Sequence, residues 1–174
     1  MPTITPVDAT VMLTSDHDAV RKLFKEFEKT KDSATQGHIA QQVCMELTIH
    51  AQIEEHVFYP EVRSDAELKD MVLESLEEHK QLKTLVKAIE PLGPSDEQFE
   101  PKMKVLMEDV EHHASEEEKE MFPKVRKAWG KDRLAEVGQR LQHEKTRAKG
   151  ELASQKSPER RVEEHVREGS KSRG

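Results

Sequence analysis

Hydrophobic residues recur along this chain at helical intervals, and several positions where the pattern calls for Leu or Val carry His or Glu instead. From about Asp8 to Lys29, apolar residues stand at Leu13, Val20, Phe24 and Phe27, with His17 in the gap. That is the three-and-four spacing of an amphipathic helix. After a polar linker at 31–37, the stripe resumes from Ile39 to Val62 as Ile39, Val43, Leu47, His50, Glu54 and Phe58. Residues 64–67, SDAE, form a capping-box signature. It predicts a third helix to about Glu90 on Val72, Leu76, His79, Leu82, Val86 and Ile89. The segment PLGPSD at 91–96 breaks that helix. A fourth opens near Pro101, a good first-turn residue, and runs to about Lys127 on Leu106, Val110, His113, Glu117 and Met121. WGKD at 129–132 ends it, and a shorter helix with Leu134, Val137 and Leu141 follows.

These elements predict an all-α fold, an antiparallel four-helix bundle with a short C-terminal helix. The domain is expected to span residues 1–149, with its core at 8–130. The polar, charged segment 150–174 is expected to be a disordered tail or a loosely attached helical turn.

Composition agrees and narrows the possible partners. At 174 residues the chain suits one domain. Its 36% charged and 34% hydrophobic residues, with only seven Gly, favour long amphipathic helices over a β fold. A net charge of −7 offers no basic footprint, so neither nucleic acid nor an anionic membrane is an expected partner. No apolar run approaches a membrane span, and the opening MPTITPVDATVM lacks the charged and apolar regions of a secretory leader. Cys44 is the single cysteine. It rules out an internal disulfide and a cysteine-based metal cage, points to a reducing, cytoplasmic compartment, and reads as a small buried residue.

The chemistry lies in a repeat. Residues 50–63 (HAQIEEHVFYPEVR) and 113–126 (HASEEEKEMFPKVR) share seven of fourteen positions. Aligning His17 with His79 sets HDAVRKLFKEFE over HKQLKTLVKAIE, so each half of the chain is a helical hairpin with a lone His on one helix and His-x3-Glu on the next. A pseudo-twofold would bring His17, His50, Glu54, His79, His113 and Glu117 to one level of the core. Two buried, ionised carboxylates demand compensation, which a dinuclear metal cluster supplies. Residues i and i+4 share a helix face, so each His-x3-Glu pair can reach one ion, and a Glu can bridge two. Mixed imidazole and carboxylate donors suit iron with open positions for a small molecule; zinc fits the same donors.

Other residues read more plainly. His112, with Glu116, forms a third His-x3-Glu pair, but it lies off the stripe and reads as surface. Glu55 and Glu118 repeat as well, and read equally as acceptors for ligand N–H groups or as solvated. Tyr59, the single tyrosine, reads as packing at the bundle end with a hydrogen-bonded hydroxyl; the alternative is a donor at an open metal position. Pro60 and Pro123 are expected to kink or end their helices. His38, His56, His143 and His165 show no partner pattern, and the acidic run at 116–120 reads as a solvated face apart from Glu117.

The order His…His-x3-Glu…His…His-x3-Glu, the DH at 16–17 and the YP and FP closures resemble hemerythrin-like proteins of the HHE cation-binding kind, of the bacterial stand-alone type. The resemblance covers about residues 8–130. It implies a non-haem di-iron centre with His17 and His50 on one iron, His79 and His113 on the other, Glu54 and Glu117 bridging, and an oxo or hydroxo bridge. Oxygen-carrying hemerythrins take two imidazoles spaced by four from the third helix and use His-x4-Asp on the fourth. Here the positions four from His79 are Ser75 and Lys83. The family therefore implies binding of, or reaction with, a small oxidant (O2, hydrogen peroxide or NO), with catalase- or peroxidase-like turnover as one form. The alternative is an iron or oxygen sensor, or an iron-handling protein, acting through a partner. A monomer is the favoured oligomeric state.

Overall fold

The structure is a computed structural model and describes residues 6–156; His165 and the rest of 157–174 lie outside the described residues. Every regular element among the described residues is helical. Helix α1 spans Ala9–Lys29 and α2 spans Ser33–Ile53. A single wide π turn, Glu54–Phe58, joins α2 without a break to α3, Tyr59–Arg63. Helix α4 covers Lys69–Ile89. Helix α5, Phe99–Glu116, runs through a second π turn, Glu117–Met121, into α6, Phe122–Ala128. Helix α7, Lys131–Lys156, is the longest.

Local chemistry accounts for the boundaries. The Asp8 carboxylate accepts from the Thr10 amide at 2.7 Å and caps α1. Asp32 accepts from the Thr35 amide at 2.9 Å, so α2 begins at Ser33, inside the segment read as linker. The capping box at 64–67 does not form: the Ser64 hydroxyl donates to the Glu61 carbonyl, and Asp65 accepts from the Glu67 amide. Helix α4 accordingly starts later, at Lys69. The C-terminal helix expected to be short continues through Gly150 to Lys156.

Helices α1 and α2 pack together, as do α4 and α5; contacts between α2 and α4 and between α1 and α5 close the ring, and α7 lies against α1 and α2. The apolar core falls into two clusters. One gathers Leu13, Ile53, Phe58, Val72, Phe122, Trp129 and Leu141; the other gathers Val20, Phe24, Val43, Leu82, Met103 and Leu106. Cys44 is buried in the second, as expected. All six candidate ligands are buried.

Gly138 fixes the approach of α7 to the start of α1. A Cβ there would stand 1.8 Å from the Val7 carbonyl oxygen, an overlap that only backbone movement relieves. In an open helix Gly→Ala gains about 1 kcal/mol. Gly138→Ala is instead expected to destabilise by about 1–3 kcal/mol, measured by urea unfolding; a stabilised variant would contradict this packing.

Candidate metal centre

The six residues singled out by the repeat converge. Two groups of donor atoms form, each with its members within 4.8 Å of one another: His17, His50, Glu54 and Glu117 in one, Glu54, His79 and His113 in the other. In the first, His50 Nε2 lies 3.0 Å from Glu54 Oε1, and His17 Nε2 lies 3.2 Å from Glu117 Oε2. In the second, His79 Nε2 lies 3.1 Å from Glu54 Oε2 and 3.1 Å from His113 Nε2. His113 Nε2 stands 3.6 Å from Glu117 Oε1. Each carboxylate thus turns one oxygen to each group.

The imidazoles are oriented from behind by a repeated set of carboxylates. His17 Nδ1 meets Glu118 at 2.9 Å, and His79 Nδ1 meets Glu55 at 2.9 Å. His50 Nδ1 meets Asp16 at 3.3 Å, and His113 Nδ1 meets Glu78 at 2.5 Å. A carboxylate there requires Nδ1 to carry the proton, which leaves Nε2 facing inward with a lone pair when the ring is neutral. Most of these carboxylates are themselves held by a cation. Arg21 grips Glu118 with both guanidinium nitrogens, Lys83 bonds Glu55 at 2.6 Å, and Lys145 of α7 bonds Asp16 at 2.5 Å. Glu55 and Glu118 are therefore acceptors behind candidate ligand imidazoles. Glu78 escaped the sequence reading, and Asp16 entered it only within the DH at 16–17, with no role assigned; an acidic residue directly before each lone His was the signal.

Tyr59 also belongs to the centre. Its hydroxyl donates to Glu117 Oε1 at 2.6 Å and lies 3.1 Å from His79 Nε2, 3.3 Å from Glu54 Oε2 and 3.5 Å from His113 Nε2. The reading of Tyr59 as end packing placed it too far away, for a clear reason. On a regular α-helix, i and i+5 differ by about 140° around the axis. The π turn cancels much of that rotation: the Tyr59 amide bonds the Glu54 carbonyl, five residues back. The Phe122 amide bonds the Glu117 carbonyl in the same way. Pro60 and Pro123, which follow, do not end the helices. The widened turn relieves the clash that a proline ring makes with the carbonyl four residues earlier. Ser75, one of the two positions four from His79, is buried and small.

The remaining histidines lie apart. His112 is exposed and pairs with Glu116 at 3.2 Å; His56 is exposed and meets Glu144 at 2.9 Å. His38 and His143 are exposed.

These residues fit metal ions. His17 Nε2, His50 Nε2, Glu54 Oε1 and Glu117 Oε2 are buried and have no hydrogen-bond partner of acceptable geometry. Neighbouring donors around a six-coordinate ion with bonds of about 2.1 Å stand about 3 Å apart, the spacing seen here. The facing lone pairs of His79 and His113 repel unless a cation or proton lies between them. Burial alone would depress the His50 pKa, but the Glu54 and Asp16 carboxylates outweigh it and raise it to about 10. His113 is raised well above its usual value: burial opposes the rise, and Glu117 and Glu54 drive it.

The sign of the pH dependence follows. A folded-state pKa of about 10 against about 6.5 in the unfolded chain gives the metal-free protein stability that is full below pH 6.5. That stability is lost as pH rises toward 10. A metal must displace the proton, so loading is expected to release about one proton or more per chain near pH 7.5, and affinity is expected to rise with pH. Calorimetry in buffers of different ionisation enthalpy measures this; loading without proton release would contradict it.

Comparison with known proteins agrees with this fold. A crystal structure of a hemerythrin HHE cation-binding domain-containing protein from Mycobacterium kansasii superposes with a TM-score of 0.73, covering 85% of this chain and 91% of that one at 20% identity. A protein of Nostoc sp. described as a DNA nickase is 32% identical over 111 residues, 64% of this chain; the match spans only 31% of that relative's length. The sequence profile of the hemerythrin HHE cation-binding domain matches residues 8–125. The chain belongs to the hemerythrin HHE cation-binding domain family, and its His/Glu cluster is able to hold metal.

Proposed function

We propose that this protein holds two iron ions and acts on a small oxidant (O2, hydrogen peroxide or NO), with peroxide decomposition as its turnover reaction. In this reading the site-bearing helices form an antiparallel four-helix bundle that works in the cytoplasm. His17 and His50 would hold one ion and His79 and His113 the other, with Glu54 and Glu117 supplying the carboxylate donors. When bound, the metals supply Lewis-acid and electron-transfer chemistry.

The observation that carries the reading is the inequality of the halves. Position 59 is Tyr in one copy of the repeat, and its counterpart, 122, is Phe in the other. The phenol oxygen joins the His79/His113 group as a fifth donor. Phe122 instead stacks on His17, with ring centroids 6.0 Å apart and planes 4° from parallel. The His17/His50 group therefore keeps four protein donors and leaves room for an exogenous molecule.

The chain's own residues then divide the work. Arg21 and Lys145 hold the carboxylates that orient His17 and His50, and Phe122 excludes water from one side. The buried Tyr59 hydroxyl, its pKa raised well above normal by burial and by Glu117 and Glu54, keeps its proton in the metal-free state and hydrogen-bonds Glu117. Oxygen evolution from hydrogen peroxide by iron-loaded protein, followed with an oxygen electrode, tests the proposal. Steady evolution above that of free iron supports it. Stoichiometric binding of O2 or NO without turnover would move the reading to sensing through a partner.

A further inference from the structure

A cavity of about 270 Å³ opens onto the imidazole side of the centre, and all four candidate ligand histidines line its floor. Its walls nearest the floor come in pairs from the two halves: Val20 with Leu82, Leu47 with Val110, Ala51 with Ala114. Further out the symmetry fails. The cavity continues along α4 past Val86, Lys87 and Glu90, and along α2 at Thr48, but not past the matching part of α1.

Two differences in the repeat account for this. Phe24 occupies the position of Val86 in the other half and fills it. Arg21 occupies the position of Lys83 and bonds both Glu111 of α5 and Glu118 of the π turn that follows it, whereas Lys83 bonds only Glu55, the counterpart of Glu118. One half of the pseudo-twofold is plugged and the other is left open between α2 and α4.

The space is larger than a diatomic molecule or peroxide requires. An apolar cavity of about 150 Å³ is enough to bind benzene, and unfilled apolar volume costs stability in proportion to its size. The exposed edge carries both signs, Lys87 against Glu90, with Lys83 paired to Glu55, so it favours no ion of either charge. The lining is almost entirely apolar, because the imidazole nitrogens are turned to carboxylates or buried in the centre.

We propose that this cavity is a binding site for a neutral, largely apolar organic molecule of roughly six to ten non-hydrogen atoms. Its apolar body lies among Leu47, Leu82 and Val86, and entry is between α2 and α4. The inference goes beyond the peroxide reading and does not depend on it, because binding is measured without turnover.

The test uses 2-phenyl-2-propanol as probe on the full chain, metal-free and zinc-loaded, by amide chemical-shift titration. Saturable binding that shifts Ala51, Leu82 and Val86 is expected. Val86→Phe, which copies the plug of the other half, should weaken binding at least tenfold while helical content is kept. Val86→Ala adds space and should admit 1-naphthalenemethanol more tightly than the wild type does, so the proposal stays testable if the Phe variant fails to fold. No saturable binding to the wild type, or equal binding by the wild type and the folded Val86→Phe variant, would overturn it. Loss of oxygen evolution with probe binding intact would count against the proposed function alone.

Discussion

The double variant Glu54→Gln/Glu117→Gln is expected to lose tight metal binding at both positions while keeping its helical fold. Each carboxylate presents one oxygen to each donor group, so removing the charge of both strips anionic donors from both ions at once. Replacing even the groups behind metal ligands costs 10–100-fold in affinity, and removing two bridging ligands is expected to cost more than about 100-fold. The fold should survive, because uncharged amides avoid the desolvation cost of two buried carboxylates. Metal present at 100 times its dissociation constant stabilises a protein by about 2.7 kcal/mol per site, worth about 5–11 °C in Tm for a chain of this size. Calorimetric melting with and without metal should show that increase in the wild type and none in the double variant. A double variant that retains the increase would remove Glu54 and Glu117 from the site.

The second large effect is expected at Tyr59. Tyr59→Phe makes the two halves alike, with Phe at 59 as at 122. In the iron-loaded protein it should abolish any visible absorption arising from phenolate on ferric ion, and weaken the His79/His113 position by about tenfold or more. In the metal-free protein it removes a hydroxyl that donates to Glu117 at 2.6 Å inside the core, a loss of about 1–3 kcal/mol. Phe122→Tyr is the converse: a phenol near His17 should occupy the open position and slow the reaction with peroxide. An unchanged visible spectrum in Tyr59→Phe would show that the phenol stands by without binding metal.

The helices and the site were legible in the sequence to different depths. Period and punctuation located the long helices, because the stripes through Leu13, Val43, Val72 and Leu106 are regular and their ends carry Pro, Gly or Asp signals. Boundaries went astray where one side chain decided them: Asp32 extends α2 toward its N-terminus, and the unused capping box delays α4. The length of α7 was hidden because its outer half is polar, and its packing against α1 depends on a single missing Cβ at Gly138.

The six candidate ligands were legible because charged residues on an apolar stripe are conspicuous, and the repeat put them in register. Tyr59 entered only as the second of two readings, because ideal helical geometry turns position i+5 away from position i. Only the π turn, which the prolines after Tyr59 and Phe122 favour, brings it back. Asp16, Glu78 and Lys145 act one or two contacts behind the imidazoles. Spacing along one helix does not reveal contacts that cross between helices.

Two matching halves of one chain build two candidate donor groups for metal. The most direct measurement is the iron content at saturation of the full chain after anaerobic loading and gel filtration. About two iron ions per chain, filling both donor groups, is the predicted result. One ion or none per chain, or zinc retained where iron is lost, would contradict the di-iron centre.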